Sequence, residues 1–399
     1  MSMISSPRRH EARGVRRLKP SLSVVSLVLV AACAEPSAAN DEATTSESAS
    51  GSSEGTTTLA ASSSESTGDD LDSSSSTTGG CVPGFEVAAF TQISELAIGT
   101  TERYDMDRDG RLDVVGGRGV VVSADLEVTV VVADAPNDDG HPGMFDDDDL
   151  TDMAWALPSD EALAVYPASG GEPIVSTTLD SSSFAVRDVD GDGIDDIAIS
   201  ETSGTSVWRG TASGSFTKLA DVSSTATAFP AFFQQPDGIH LAVPDKYSLA
   251  VDVYRYDGGA FALASTFMLL APQSLDPVDP FADGSEYLLA TRFSMQPTTI
   301  SSVEVLYAEN DAWNRWSVGF DEHRPRSASL ADIDGDGIGE IAVALDEHSL
   351  AFLCWTGDGF IRCGANEDLP GAQVELLGDV VVSAGNGVWT GAVTPTVCR

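Results

Sequence analysis

Three short segments place carboxylates where they could hold a metal ion. They read Asp105-Met-Asp-Arg-Asp-Gly-Arg-Leu-Asp113, Asp188-Val-Asp-Gly-Asp-Gly-Ile-Asp-Asp196 and Asp332-Ile-Asp-Gly-Asp-Gly-Ile-Gly-Glu340. Each has acidic side chains at positions 1, 3, 5 and 9 and a glycine at position 6. Four carboxylates this close repel one another unless a cation neutralises them, and Ca²⁺ accepts six to eight oxygen ligands in flexible geometry. The glycine permits the turn that brings position 9 back toward the ion. The position 7 carbonyls of Arg111, Ile194 and Ile338 can add a further oxygen. The expected ligands are therefore Asp105, Asp107, Asp109, Arg111 and Asp113; Asp188, Asp190, Asp192, Ile194 and Asp196; and Asp332, Asp334, Asp336, Ile338 and Glu340, giving about three Ca²⁺ sites. Asp146 to Asp149 with Asp152 reads either as a degenerate fourth loop or as a solvated acidic turn. Around Asp279 and Asp283 too few ligands align.

The flanking residues say what positions these loops. A helix–loop–helix calcium hand needs a Glu at position 12, where this chain has Gly116, Ile199 and Val343. The segments after the loops, such as Asp-Ile-Ala-Ile and Glu-Ile-Ala-Val, are short and β-branched, which predicts strands. Weaker copies start at Asp152, His240, Tyr287 and Asp379, so position 9 recurs at steps of 39, 44, 44, 47, 53 and 39 residues. A period near 40–45 residues in β-patterned units is the mark of a β-propeller. Gly- or Asp-rich hairpins such as Tyr254–Phe261 and Cys354–Phe360 supply two more strands per unit. The expected fold class is all-β: a seven-bladed β-propeller of four-stranded antiparallel blades over residues 81–399.

This pattern of acidic loop, apolar strand and Gly-rich hairpin resembles the FG-GAP/VCBS repeat, which builds the propeller of integrin α-subunits and many bacterial surface proteins. The resemblance implies Ca²⁺ in the loop between the first two strands of a blade. Four units lack the full ligand set, and Glu340 stands where the repeat usually has Asp.

The N-terminus reads as an export signal. Arg8, Arg9, Arg13, Arg16, Arg17 and Lys19 precede an apolar run, Leu22 to Ala32, too short to span a bilayer. Val30-Ala-Ala-Cys33 resembles the lipobox of bacterial lipoproteins, with residues 1–32 as signal peptide and Cys33 as lipid acceptor. The alternative is an ordinary cleavage site beside an incidental cysteine. Residues 34–80 hold 22 Ser or Thr among 47 positions. With Cys33 they read as a disordered tether of roughly 40 Å reach. The expected location is the cell envelope, lipid-anchored, at the outer membrane or cell surface rather than the inner membrane.

The formal net charge is −41, and removing residues 1–32 takes away six basic residues and one acidic one, leaving −46. That excess excludes phosphate neutralisation by Lys and Arg, and so nucleic-acid binding. Four cysteines follow Cys33. Reading Asp358-Gly359 as a two-residue turn pairs Gly357 with Phe360 and sets Cys354 directly opposite Cys363, which suits a cystine. Cys81 and Cys398 are then left to pair at the two ends of the domain; the alternative is free buried thiols. A spare strand, Phe85 to Ile93, precedes the first unit, while the last unit shows only three (around Gln373–Leu377, Asp379–Ser383 and Gly387–Val397). The N-terminal strand should therefore complete the last unit from outside.

Catalytic patterns are missing: no nucleophile elbow, phosphate loop or zinc spacing occurs. His240 falls inside a strand and reads as structural, and the six tryptophans read as packing between blades. The expectation is a monomeric, non-catalytic adhesion-type lipoprotein binding a protein or glycan. Two alternatives stand: a propeller enzyme acting on polysaccharide (lyase or hydrolase), or a structural envelope component. The enzyme would need Asp, His and Arg converging at the channel mouth, outside the loops.

Overall fold

The computed structural model divides into two units, Met1–Ser74 and Ser75–Arg399. It describes residues 84–396, apart from short gaps at 133–134, 137–139, 158–161, 178–182, 202, 224–228, 246–248, 270–271, 293–300, 310–311, 321–322 and 367. The signal peptide, Cys33, the tether and the Cys81–Cys398 pairing lie outside the described residues. Among those described, no helix is long and apolar enough to cross a membrane.

The fold is all-β. Two short strands, β1 (Gly84–Val87) and β2 (Thr91–Ser94), precede a four-stranded sheet of β3 (Thr101–Tyr104), β4 (Asp113–Gly116), β5 (Val120–Val122) and β6 (Val128–Val130). The second sheet contains β7 (Gly140–Gly143), β8 (Asp152–Leu157), β9 (Ala162–Tyr166) and β10 (Ile174–Thr177). The third contains β11 (Ser183–Arg187), β12 (Asp196–Glu201), β13 (Gly204–Gly210) and β14 (Phe216–Ser223). The fourth contains β15 (Ala231–Gln235), β16 (Gly238–Pro244), β17 (Ala250–Tyr256) and β18 (Phe261–Met268). The fifth contains β19 (Pro272–Val278), β20 (Tyr287–Arg292), β21 (Ser301–Glu309) and β22 (Ala312–Phe320). After these come β23 (Pro325–Ala331), β24 (Glu340–Leu345), β25 (Ser349–Trp355), β26 (Phe360–Asn366), β27 (Gln373–Leu377), β28 (Val380–Ala384) and β29 (Val388–Thr396). Within each sheet consecutive strands pair antiparallel. First strands touch in turn, β7, β11, β15, β19, β23, β27, then β3, whose neighbour β4 meets β7, closing the ring of a propeller.

The expectation of a seven-bladed propeller is corrected. Five discrete four-stranded blades are present, and the remaining strands merge into one nine-stranded sheet, β23-β24-β25-β26-β1-β29-β28-β27, with β2 also on β29. The merger has a local cause. β1 pairs antiparallel with β29, as expected of the N-terminal strand, and also meets β26 in parallel at Phe85↔Gly364. A Cβ at Gly364 would collide with the carbonyl oxygen of Phe85, and one at Gly84 would lie 2.6 Å from that of Cys363. Two missing side chains thus let the outer strands approach within pairing distance. Gly364→Val should force them apart, costing roughly 1–3 kcal/mol and exposing the β1 amides to hydrogen exchange. Unchanged β1 protection would contradict this role for Gly364.

Second strands are buried on both faces, so β8, β12 and β24 carry apolar runs rather than alternation. The core lies between adjacent sheets. Phe145, Leu163, Phe184 and Ile197 join the second and third, and Phe85, Phe352, Leu376 and Val381 fill the merged sheet. Tryptophans serve the same seams: Trp155 is fully buried and its Nε1 donates to Gly117 O at 2.7 Å, linking the first two sheets. Cys354 and Cys363 are disulfide-bonded with Cα atoms 5.8 Å apart, but the register differs from expectation. The turn spans Thr356–Gly359, Trp355 pairs with Phe360, and Cys354 lies opposite Ile361. A bulge between the Phe352 and Leu353 pairings accommodates Cys363, so the bond is diagonal.

Candidate metal centre

Each acidic loop joins the first strand of a unit to its second, and the three share one hydrogen-bond scheme. The position 1 carboxylate accepts from the position 6 glycine N–H: Gly110 to Asp105 at 2.9 Å, Gly193 to Asp188 at 2.9 Å, Gly337 to Asp332 at 3.0 Å. The position 5 carboxylate accepts from the position 7 N–H of Arg111, Ile194 and Ile338 at 2.8–2.9 Å. All three glycines have φ between 86° and 90°, which only glycine adopts without strain. Carboxylate oxygens within 4.8 Å of one another come from Asp105, Asp107 and Asp113; from Asp188, Asp190 and Asp192; and from Asp332, Asp334 and Asp336.

Among the predicted carboxylates, Asp109, Asp196 and Glu340 fall outside these groups. Asp109 is held by the Arg111 guanidinium at 2.7 Å, which pulls its carboxyl below the usual range. Asp196 and Glu340 are buried at the base of their loops. Asp196 accepts from Val189 N at 3.1 Å and Gly210 N at 2.9 Å, and Glu340 from Ile333 N at 2.8 Å. Asp113 does the same with Met106 and Ala124. Position 9 therefore pins its loop to the sheet, and burial raises Asp196 to about 6 and Glu340 to about 7. Nearby loop carboxylates add to the rise, which a bound cation would reverse. Asp190 also meets Arg209 at 2.7 Å. Among the described residues no basic partner reaches the 332–340 loop. The all-oxygen donor sets fit a hard cation such as Ca²⁺.

Two further loops follow the same course. Met144 to Asp152 matches position for position: Asp148 N donates to Asp146 Oδ1, Leu150 N donates to Asp148 Oδ1, and Asp149 takes the glycine place at φ 61°. Met144 replaces the first carboxylate, yet Asp146, Asp148 and Asp152 converge. Asp152 is 1% exposed and, among the described residues, its Oδ2 has no hydrogen-bond partner. In Asp279 to Tyr287 the glycine contact survives, Gly284 N to Asp279 at 2.9 Å. Position 3 is Phe281, whose ring packs on Trp316, Trp355 and Tyr287. Aromatic rings replace the carboxylates at positions 3 and 9, while Asp279 and Asp283 keep the loop's hydrogen bonds, so this loop holds its shape without the full ligand set. The two remaining first-strand connections are two-residue turns, Pro236-Asp237 and Gly378-Asp379.

Sequence reasoning missed a second group, on the first strands. Glu102 and Arg103 on β3, His141 on β7, Asp276 on β19 and Glu375 on β27 are electrostatically coupled. Arg103 Nε lies 3.8 Å from Glu375, and His141 Nδ1 lies 3.2 Å from Glu102. Glu375 is buried and rises to about 7. Asp276 is reached by water yet ringed by protein, and that crowding raises it to about 6. The available signal was position: each lies on the short strand opening its unit.

No protein-family model matches the chain, and no curated protein's sequence matches it. Solved structures are similar in fold. A streptogramin B lyase aligns with TM-score 0.52 at 12% identity, covering 78% of this chain and 98% of that one. Kuenenia stuttgartiensis hydrazine synthase aligns with TM-score 0.52 at 14% identity, covering 76% and 97%. A catalytically inactive Staphylococcus aureus virginiamycin B lyase with quinupristin aligns with TM-score 0.50 at 12% identity, covering 78% and 99%. At such identities the likeness shows the β-propeller fold and nothing finer.

Proposed function

We propose that this chain is a calcium-stabilised propeller of the FG-GAP/VCBS type that presents a non-catalytic binding surface for a protein or glycan. It would act at the cell envelope, lipid-anchored through Cys33. The observation that carries this reading is the shared hydrogen-bonding of the three acidic loops, which gathers carboxylate oxygens on a rigid ring of sheets. Calcium in those loops would fix the rim on which a ligand docks. Immobilised full-length protein should retain envelope glycans or proteins in Ca²⁺, release them in EGTA, and leave them chemically unchanged. Retention that ignores EGTA, or product formation, would count against it.

One observation favours the enzyme reading. Asp276, His141 and Arg103 gather with Glu102 and Glu375 on the inner strands, and a carboxyl raised to about 7 suits general acid catalysis. Polysaccharide cleavage abolished by Glu375→Gln would establish that reading instead.

A further inference from the structure

Where the acidic loop is replaced by the Pro236-Asp237 turn, a cleft of about 620 Å³ opens between the fourth and fifth sheets. That is within the size range of small-ligand sites. His240 stands where other units place Asp113, Asp196 or Glu340, and its Nε2 lies 2.9 Å from Asp237 Oδ1. Arg255, paired with His240 across β16 and β17, reaches the other oxygen of Asp237 at 3.4 Å. Among the described residues Asp237 is the one partner of this guanidinium, whose side chain is 47% exposed, so N–H donors remain for a ligand.

The opposite wall is apolar and fixed. Trp313 stacks on Phe267 across the sheets, centroids 4.6 Å apart, and its Nε1 donates to Ser265 Oγ at 2.8 Å. Leu263, 57% exposed, continues this wall. A bulge in the β17–β18 pairing after Val253 sets the register of the strand that carries it.

We propose that this cleft binds the end of a neutral saccharide; this rests on the reading of the chain as a binding platform. Vicinal hydroxyls both donate and accept, which matches the mixed Asp237, His240 and Arg255 set, while the C–H face of a sugar ring suits Trp313 and Leu263. The local charges of Asp237 and Arg255 cancel, and a chain of net charge −41 disfavours anionic sugars.

The test is saturation-transfer NMR and calorimetry on the full chain in Ca²⁺. The probes are cellobiose, maltose, lactose and chitobiose, with digalacturonate as the acidic comparison. At least one neutral disaccharide should bind, with affinity falling roughly tenfold or more in both Arg255→Gln and Asp237→Asn. Both sites are exposed, and unchanged melting would show that the variants fold. Binding that both variants leave intact overturns the cleft assignment but not the platform reading. Binding of digalacturonate alone, or of no saccharide, overturns the proposal. Cleavage of a bound sugar would end the non-catalytic reading, yet loss of that binding in both variants would still support the cleft.

Discussion

Stripping divalent cations with EGTA should lower the melting temperature of the full chain, disulfides intact, by roughly 15–20 °C relative to saturating Ca²⁺. The magnitude follows from mass action. A ligand at a hundredfold over its Kd adds about 2.7 kcal/mol per site, so three sites add about 8 kcal/mol. The direction follows from the loops. Without a cation, Asp332, Asp334 and Asp336 hold oxygens within 4.8 Å of each other, and among the described residues no basic side chain relieves them. The other two loops have partial relief, from Arg111 on Asp109 and Arg209 on Asp190. The 332–340 loop should therefore bind most tightly, and Asp332→Asn with Asp334→Asn should remove one site from a calorimetric titration. Mg²⁺ should substitute poorly, because it demands octahedral geometry and keeps its waters. Equal melting in Ca²⁺ and EGTA, with no heat on titration, would reduce the loops to solvated acidic turns.

The acidic loops and the strands after them were legible because both depend on local chemistry. Asp, Gly and β-branched residues at fixed offsets dictate a turn and a buried strand, and position 9 marks where β4, β12 and β24 begin. Closure by the N-terminal strand was legible from a missing partner on β29. The blade count was not, because it turns on Gly84 and Gly364, whose lack of a side chain matters only once β1 and β26 face each other. The Cys354–Cys363 pair was found through a wrong register, since a bulge leaves no mark in composition. The Asp146–Asp152 loop was legible only as one of two readings, because Met144 stands in place of the first carboxylate and Asp149 in place of the glycine. The first-strand charges were invisible for a different reason: Glu102, His141, Asp276 and Glu375 are distant in sequence, and only the fold brings them together.

With calcium saturating, so that the loops stay filled, stability should fall as pH rises from about 5 to 8, and Glu375→Gln should flatten that fall. Glu375 is 8% exposed, accepts from Thr101 Oγ1 at 3.1 Å and has Arg103 at 3.8 Å. Burial raises its carboxyl to about 7 against 4.5, outweighing the opposing pull of Arg103, and Asp276 adds to the rise. Between those values the folded chain keeps a proton that the unfolded chain has released, so raising the pH favours unfolding. The loss develops through the folded value near 7 and amounts to about 3 kcal/mol at 1.36 kcal/mol per unit. Glutamine keeps an acceptor for Thr101 and carries no charge to desolvate, so the variant should be the more stable protein at pH 8 by about 2 kcal/mol. Asp276→Asn should act in the same direction. Identical pH slopes in wild type and Glu375→Gln would mean that Arg103 holds Glu375 ionised throughout. The first-strand group would then lack a carboxyl protonated near neutral pH, and the enzyme reading would lose its general acid.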